Sequence, residues 1–254
     1  MFDVRLSSCL CLFLVPVLPN MLMTNDITPP IKIAGADARV LHDTDLLQLS
    51  CGVNGCSSNC CTKSAPIILN PYEIAMICNA SGMSYEDLLD IVDTDRAKGF
   101  PLVMLPRDPA CHFWTGKGCR IYQARPLACR LYPLGRVFDH GASHIVLPEL
   151  NVCSGLNPSA SMNVADYLRA QDTALFMTMA DHWIEFVSHI EQLPLADAPV
   201  TSVAFHMLVY SPDTPPAPAE QIDPSMSSSE ELFLLRLKTA REQLPRFLMS
   251  PGRS

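Results

Sequence analysis

The segment from Cys51 to Cys61 constrains the fold of this chain more than any other stretch. It holds four cysteines in eleven residues, at the spacing C-x4-C-x3-C-C, and small or polar residues fill most of the gaps. Glycine and asparagine tolerate left-handed backbone conformations, so a loop rich in them can curl and direct several sulfur atoms toward one centre. No hydrophobic period for a helix or a strand runs through it. The segment is therefore predicted to be a loop that presents thiols.

Three chemistries are open to such a loop. Disulfides require an oxidising compartment, thiolates bind zinc or iron–sulfur clusters, and redox thiols usually occur as C-x-x-C pairs. No C-x-x-C occurs in the sequence, and the total of eleven cysteines is odd. Adjacent Cys60 and Cys61 disfavour ordinary disulfides, because a bond between neighbours demands unusual geometry. Metal binding is therefore the favoured interpretation.

Composition and charge restrict the class of protein. The 254 residues include 48% hydrophobic and only 17% charged residues, a globular composition on the apolar side. The net charge of −8 disfavours nucleic acid as the main partner, because phosphate binding needs a basic face. The identity of a protein partner or substrate stays open. With disulfides ranked last, a cytoplasmic location is expected.

Four segments are predicted along the chain. Residues 1–23 contain an apolar run that is too short to span a bilayer, so no stable membrane insertion is expected. The basic region before this run is weak and no A-x-A cleavage site follows it, so we expect a start-site artefact, with translation beginning at Met21 or Met23. The other segments are a cysteine-cluster metal-binding domain at 24–210, a Pro/Ser-rich linker at 211–229 and a C-terminal helix at 230–254.

A second cysteine region runs from Cys111 to Pro133. Aromatic and apolar residues flank Thr115-Gly-Lys-Gly118, which predicts a β-hairpin, and Pro126 is predicted to begin a short helical turn that carries Cys129. Between residues 109 and 138 the chain has five Lys or Arg and no acidic residue. A solvated basic face is the ordinary explanation. Its coincidence with three cysteines favours guanidinium groups that balance thiolate charge around a metal.

Local signals place the remaining elements. Asn70-Pro71-Tyr72-Glu73 is predicted to open a helix on which Cys78 is a buried thiol, and Ser84-Tyr85-Glu86-Asp87 a second helix that ends near Val92. The other predictions are a hairpin over residues 136–147, a helix from Val164 to about Leu193 and a strand from Thr201 to Tyr210. Together these elements predict an α+β fold with an irregular, loop-rich, metal-stapled core, short hairpins and several helices.

The two cysteine regions together resemble a known family. The loop that ends in Cys60-Cys61, followed by Cys111…Cys119-Arg-Ile-Tyr…Arg125-Pro126…Cys129-Arg130-Leu-Tyr132-Pro133, is similar to the bacterial cysteine-cluster family of zinc- or iron-chelating proteins. That family is named for a C-x-x-C-x-x-x-C-C signature and includes proteins similar to flagellin lysine N-methylase. The resemblance covers about residues 50 to 170, including Cys153-Ser-Gly. This chain departs from the pattern by four residues between Cys51 and Cys56, where two are usual, and by Ser154 where proline is common.

The resemblance implies metal binding and supplies no reaction. The implied ligands are the cysteines that match the family, namely Cys51, Cys56, Cys60, Cys61, Cys111, Cys119, Cys129 and Cys153. Arg125 and Arg130 would be cofactor-binding groups just outside these ligands. Eight thiolates would fill two four-thiolate sites, or one cluster plus structural ligands, because zinc and each common iron–sulfur cluster take four ligands. The lack of tight C-x-x-C knuckles slightly favours an iron–sulfur cluster over zinc.

The two cysteine regions are expected to meet in space, because neither region alone offers a cleanly spaced four-ligand site. Cys9 and Cys11 are expected to lie far from both. Removal of a ligand should therefore cost metal and stability together, while Cys78→Ser should be a modest core change.

Two functions stay open on the sequence. One is a metal-cluster protein with a redox or protein-modifying activity, such as the lysine methylation that the flagellin relationship suggests. The sequence has neither a Gly-rich strand–turn–helix element for a methyl donor nor a C-x3-C-x2-C triad, so it does not establish an enzyme. The other is a non-enzymatic, zinc-stapled module that binds a partner protein. A secreted disulfide protein ranks last.

Overall fold

The computed structural model describes residues 31–33, 36–48, 60–62, 65–97, 100–139, 142–148, 161–192, 203–218, 222–223, 225 and 228–249. These residues belong to two compact units, each of which is described by itself. The first unit comprises Met1–Cys60 and Ala128–Ala174, and the second comprises Cys61–Leu127 and Leu175–Ser254. The predicted apolar segment at residues 1–23, with Cys9 and Cys11, lies outside the described residues.

The first unit contains a four-stranded antiparallel sheet with the strand order β1-β2-β8-β7. Its strands are β1 (Ile31–Ile33), β2 (Ala36–Leu41), β7 (Gly135–Asp139) and β8 (Ala142–Pro148). The β7–β8 hairpin pairs Gly135 with Val146 and Asp139 with Ala142, so the hairpin predicted for this region is confirmed. Val137 and Val146 are both buried, as expected for β-branched residues on the covered face of a sheet.

Two further short strands and a helix also belong to the first unit. Strands β3 (Leu46–Leu47) and β9 (Met162–Asn163) pair antiparallel. Helix α4 (Val164–Ala170) follows β9 directly, and the Asn163 side chain caps it by accepting the N–H of Asp166 at 2.7 Å. On the buried face of α4, the Tyr167 hydroxyl donates to the Tyr132 carbonyl at 2.7 Å. Tyr167 thereby fixes α4 to the chain that follows the second cysteine region.

The single helix predicted from Val164 to about Leu193 is wrong. Helix α4 ends at Ala170, and Asp172 adopts a left-handed conformation with φ 55° before helix α5 (Ala174–Ile190) begins. Left-handed residues commonly end helices, although glycine usually occupies the position. Here the break is marked by neither Gly nor Pro, and it coincides with the polar stretch Gln171-Asp172-Thr173.

The second unit contains a three-stranded antiparallel sheet and the two capped helices. Strands β4 (Ile67–Leu69), β5 (Asp93–Ala97) and β6 (Phe100–Leu105) have the order β4-β6-β5, and β5–β6 is a hairpin. Helix α1 (Pro71–Ser81) begins with the predicted capping box and ends at Gly82, which is left-handed with φ 73°. Helix α2 (Tyr85–Leu89) begins with the predicted Ser84 capping box and ends before Val92.

Two long helices pack against α1 within the second unit. Tyr72, which is 1% exposed, makes edge-on contacts with two aromatic rings. The centre of its ring lies 5.4 Å from that of Phe176 on α5 and 5.8 Å from that of Phe233 on α6 (Ser229–Met249). The Tyr72 hydroxyl also donates to the Glu230 carboxylate at 2.8 Å. A buried aromatic ring with a satisfied hydroxyl is a strong contact between elements, so α6 is firmly packed on α1. In the described part of the chain, no helix has the length and apolar character needed to cross a membrane.

The strand predicted from Thr201 to Tyr210 is wrong for the residues described there. Residues 203–205 are α-helical and His206–Tyr210 are π-helical. Phe205 and Val209 are buried, whereas Val203 and Met207 are 57% and 53% exposed, so burial recurs at helical spacing. A short apolar run of this kind is compatible with either element on sequence alone. The helices and the separate antiparallel sheets confirm the predicted α+β class.

Candidate metal centre

Cys61 and Cys111 are the predicted ligands that the backbone of the second unit brings together. The Cys111 N–H donates to the Cys61 carbonyl at 2.7 Å, which is a short and well-formed backbone hydrogen bond. Residues Cys60–Thr62 form a 3-10 turn at the end of the first cysteine region. Cys111 is 8% exposed and Cys61 is half-buried. One cysteine from each predicted cysteine region is thus joined to the other by a backbone hydrogen bond.

The turn predicted at Thr115–Gly118 is present, but its flanking residues do not form strands, and Tyr122–Ala124 form a 3-10 helix. The backbone pairs Trp114 with Cys119 in an antiparallel bridge, and the Thr115 N–H donates to the Gly118 carbonyl at 3.0 Å. Gly116 is left-handed, with φ 83°, a conformation that suits glycine in a tight turn. The Cys111 carbonyl accepts the N–H of Trp114 at 2.9 Å, so a tight turn over residues 111–114 leads from Cys111 into this bridge.

Cys129 lies on a short helix that follows Pro126, as predicted. Helix α3 (Leu127–Leu131) carries Cys129, which is half-buried. Pro at the position before a helix is common, because its missing N–H would have no intrahelical partner. The first N–H of α3, that of Leu127, donates to a carboxylate oxygen of Glu73 at 2.7 Å. The sequence predicts Glu73 only as a helix cap, and its contact with this helix is not predicted.

Arg125 and Arg130 are both buried, with 7% and 2% of their surface exposed. Arg125 donates to the Tyr122 carbonyl at 2.7 Å, and its guanidinium carbon lies 3.9 Å from the centre of the Tyr122 ring. Arg130 donates to the carbonyls of Gln171 and Asp172 at 3.0 and 3.3 Å, at the end of α4. These contacts explain why two cations are buried. The role predicted for both residues beside the ligands stays a prediction.

Five of the eight predicted ligands lie in the described residues, namely Cys60, Cys61, Cys111, Cys119 and Cys129. Among the described residues, no three Cys, His, Asp or Glu side chains are arranged so that they could hold a metal ion. Three predicted ligands, Cys51, Cys56 and Cys153, lie outside the described residues. Thiolates suit zinc and iron–sulfur clusters, each of which takes four ligands. The described cysteines are therefore donors of the right kind for either metal, and their role as ligands stays a prediction.

Cys78 is a buried free thiol, as predicted, and is 5% exposed on α1. Burial, with smaller contributions from Asp213 and Asp87, raises the pKa of the Cys78 thiol to about 11. The thiolate is the form that binds metal and reacts with electrophiles, so a thiol with this pKa is inert near neutral pH. Cys78 therefore serves as the control cysteine, one that is not expected to bind metal, in experiments on the candidate ligands.

A second group of titratable side chains lies in the second unit, and the sequence does not predict it. The Tyr85 hydroxyl lies 2.7 Å from Nδ1 of His206, and the Tyr85 N–H donates to the Asp213 carboxylate at 2.6 Å. Tyr210, one turn after His206, donates to the Pro101 carbonyl at 2.7 Å. Burial raises the pKa of Tyr85 and lowers the pKa of His206. These bonds fix the π-helical turn to α2 and to strand β6.

We expect acid to weaken the hydrogen bond between Tyr85 and His206, which attaches the π-helical turn to α2. Neutral His206 can accept the Tyr85 hydroxyl at Nδ1, and protonation removes that acceptor. Because burial lowers the folded-state pKa of His206, the stabilisation is complete above the unfolded pKa of about 6.5 and is lost as the pH falls through the folded pKa. The free energy of unfolding, measured in urea between pH 7.5 and pH 5, reports this loss of stability. In His206→Asn the decrease over the same pH range should be smaller. An unchanged pH dependence in His206→Asn would contradict the assignment.

The comparisons with known proteins agree with the cysteine pattern. Residues 50–149, less than half of the chain, match the model of the CxxCxxCC family, which is described as a "Putative zinc- or iron-chelating domain". The match confirms the predicted resemblance to the cysteine-cluster family and contains every predicted ligand except Cys153. It ends at residue 149 rather than about 170, and the family's name has two residues, not the expected three, before the final cysteine pair. No curated protein and no solved structure matches the chain, so the likeness to flagellin lysine N-methylase has no support.

Proposed function

We propose that this protein binds zinc or iron through cysteine thiolates and that the metal stabilises the loop-rich part of its fold. The bond from the Cys111 N–H to the Cys61 carbonyl at 2.7 Å supports this proposal most directly, because it joins the two cysteine regions that the family match spans. The proposed ligands are Cys51, Cys56, Cys60, Cys61, Cys111, Cys119, Cys129 and Cys153.

An iron–sulfur cluster is the proposed form of the metal. Structural zinc sites commonly use closely spaced cysteine pairs, and this chain has no C-x-x-C. Iron–sulfur clusters accept more varied cysteine spacings. The five Lys and Arg residues between positions 109 and 138 would offset the negative charge of several thiolates. A reducing cytoplasm is the compartment in which such thiolates persist.

The proposed role of the metal is structural. A metal bound by the folded state adds its binding free energy to folding, and this matters most where regular structure is sparse. The segment between Cys111 and Cys129 has one isolated bridge, a 3-10 turn and the start of a five-residue helix, so it contains little regular structure. No comparison assigns a reaction to the chain, and we propose no enzymatic step.

Anaerobic purification with elemental analysis tests the proposed function. We expect iron with acid-labile sulfide and a visible absorption that bleaches on reduction, or, for zinc, a colourless protein with stoichiometric metal. A chelator that strips the metal should also lower the free energy of unfolding, because ligand-linked stability is lost. Cys78→Ser is the matched control and should keep its metal. A metal-free chain whose stability is the same before and after incubation with zinc or iron would refute the proposal.

A further inference from the structure

Glu73 contacts the beginnings of two helices at once. Its carboxylate is buried, with the residue 2% exposed. One oxygen, Oε2, accepts the N–H of Asn70 at 3.0 Å and completes the capping box of α1. The other, Oε1, accepts the N–H of Leu127 at 2.7 Å. The two partners are 57 positions apart in the sequence, so this carboxylate links the start of α1 with the start of α3.

Capping of α1 does not require a side chain as long as glutamate, and the same chain shows this at α2. There the equivalent residue is Asp87, whose carboxylate accepts the N–H of Ser84 at 2.9 Å, while the Ser84 hydroxyl accepts the N–H of Asp87 at 3.1 Å. The capping box is therefore complete with an aspartate. The extra methylene of Glu73 is the feature that allows its second oxygen to reach Leu127.

The bond to Leu127 matters because α3 is too short to fix itself. The first four N–H groups of any helix lack intrahelical partners, and α3 has only five residues. Isolated helices of this length are unstable in water, so outside contacts must determine where α3 begins and how it is rotated. A hydrogen bond to a buried carboxylate is stronger than one between neutral groups. Cys129 is the third residue of α3, two positions after Leu127.

We propose that Glu73 is a positioning residue for Cys129, holding the start of α3 so that the Cys129 thiolate is presented to the metal. The inference rests on the proposed function, because it assumes that Cys129 is a ligand. Residues that orient metal ligands from outside typically change metal affinity by about 10- to 100-fold when they are replaced. Glu73 is thus a structural cap of α1 that also governs one ligand of the metal centre.

The test is site-resolved alkylation of the full-length, metal-loaded protein with iodoacetamide, read by peptide mass spectrometry. Glu73→Asp keeps the negative charge and the capping box of α1. Its shorter side chain removes the hydrogen bond from the Leu127 N–H to the carboxylate. We expect Cys129 to be labelled about 10- to 100-fold faster in Glu73→Asp than in the wild type. Labelling of the buried Cys78, which lies on the same helix as Glu73, should be unchanged and reports any general loosening of the fold.

Two controls separate positioning from stability. Asn70→Ala removes the side-chain cap of α1 and leaves the Glu73 carboxylate in place, so Cys129 should stay protected. Asp87→Ala removes the corresponding acidic residue of α2 and should also leave Cys129 protected. If Glu73→Asp does not fold, Glu73→Gln is the second variant. It keeps the side-chain length but turns one acceptor oxygen into a donor, and faster Cys129 labelling is again expected.

The outcomes distinguish the inference from the proposed function. If Cys129 of the metal-loaded wild type is labelled as fast as in chelator-treated protein, Cys129 is not a ligand and both proposals fail at this residue. If Cys129 is protected in the wild type and equally protected in Glu73→Asp, only the positioning role is wrong. If Cys129 and Cys78 become reactive together, Glu73 acts through general stability and the inference is overturned.

Discussion

Cys111→Ser is expected to abolish metal retention and to unfold the metal-dependent part of the protein. Serine has nearly the same shape as cysteine, and the backbone bond from residue 111 to Cys61 does not use the side chain, so the substitution isolates the loss of one thiolate. Structural zinc contributes about 10–16 kcal/mol in zinc-finger peptides, comparable to the total stability of a typical domain of about 5–15 kcal/mol. Metal content per chain and urea unfolding of anaerobically purified protein measure the two effects.

Cys78→Ser provides the comparison for that experiment. Cys78 is buried to a similar extent as Cys111, at 5% and 8% exposed, but burial keeps its thiol protonated. Replacing it should cost about 1 kcal/mol, the usual size of a conservative core change, and leave the metal in place. Cys60→Ser and Cys129→Ser should behave like Cys111→Ser. Full metal in Cys111→Ser together with metal loss in Cys78→Ser would show that the ligand assignment is wrong.

The local parts of the fold could be predicted because their causes lie within a few residues. The capping boxes at Asn70 and Ser84 depend on side chains three positions apart, and both helices begin where the sequence indicates. The turn at Thr115-Gly-Lys-Gly118 likewise depends on turn residues that are adjacent in the chain. Such elements need no knowledge of the rest of the molecule.

Errors arose where tertiary contacts decide between local alternatives. No Gly or Pro separates α4 from α5, yet Asp172 turns left-handed between them, where the buried Arg130 donates to its carbonyl. Likewise, Tyr210 is held by the Pro101 carbonyl, and its segment is π-helical rather than extended. Backbone carbonyls carry no residue-specific signal, so a sequence does not show which carbonyl a distant side chain will contact.

The candidate site could be predicted in kind and only in part in arrangement. Cysteine spacing predicted the donors, and the family match covers all of these cysteines except Cys153, while their role as ligands stays a prediction. The bond between Cys111 and Cys61 joins two backbone groups, and the Glu73 carboxylate accepts a backbone N–H of Leu127, so neither contact depends on the type of residue at 61, 111 or 127. Cysteine spacing therefore predicts which thiols could bind metal. The folded chain is needed to show the bond between Cys61 and Cys111 and the contact at the start of the helix that carries Cys129.

Arg130→Ala is expected to cause the second large loss of stability, of about 3–5 kcal/mol. Arg130 is 2% exposed, and its guanidinium donates to the carbonyls of Gln171 and Asp172, which directly follow α4. Its positive charge also lies at the negative end of the helix dipole. Truncation to alanine would leave a cavity and remove the charged donor of two hydrogen bonds, of which the one to Gln171 is buried, and each effect costs a few kcal/mol.

Arg169→Ala is the matched control, because Arg169 also lies on α4 but has a side chain that is 75% exposed and forms an ion pair with Asp166, one turn earlier, at 2.6 Å. An exposed ion pair of this kind contributes about 0–1 kcal/mol, so the control should be nearly neutral. Arg130→Lys keeps the charge and loses the planar fork, and its stability should lie between those of the wild type and Arg130→Ala. Equal stabilities of Arg130→Ala and Arg169→Ala would rule out the structural role of Arg130.

The separate prediction that Arg130 acts beside the ligands is tested by the rate at which folded Arg130→Lys releases its metal to a chelator. That prediction requires release about 10- to 100-fold faster than in the wild type.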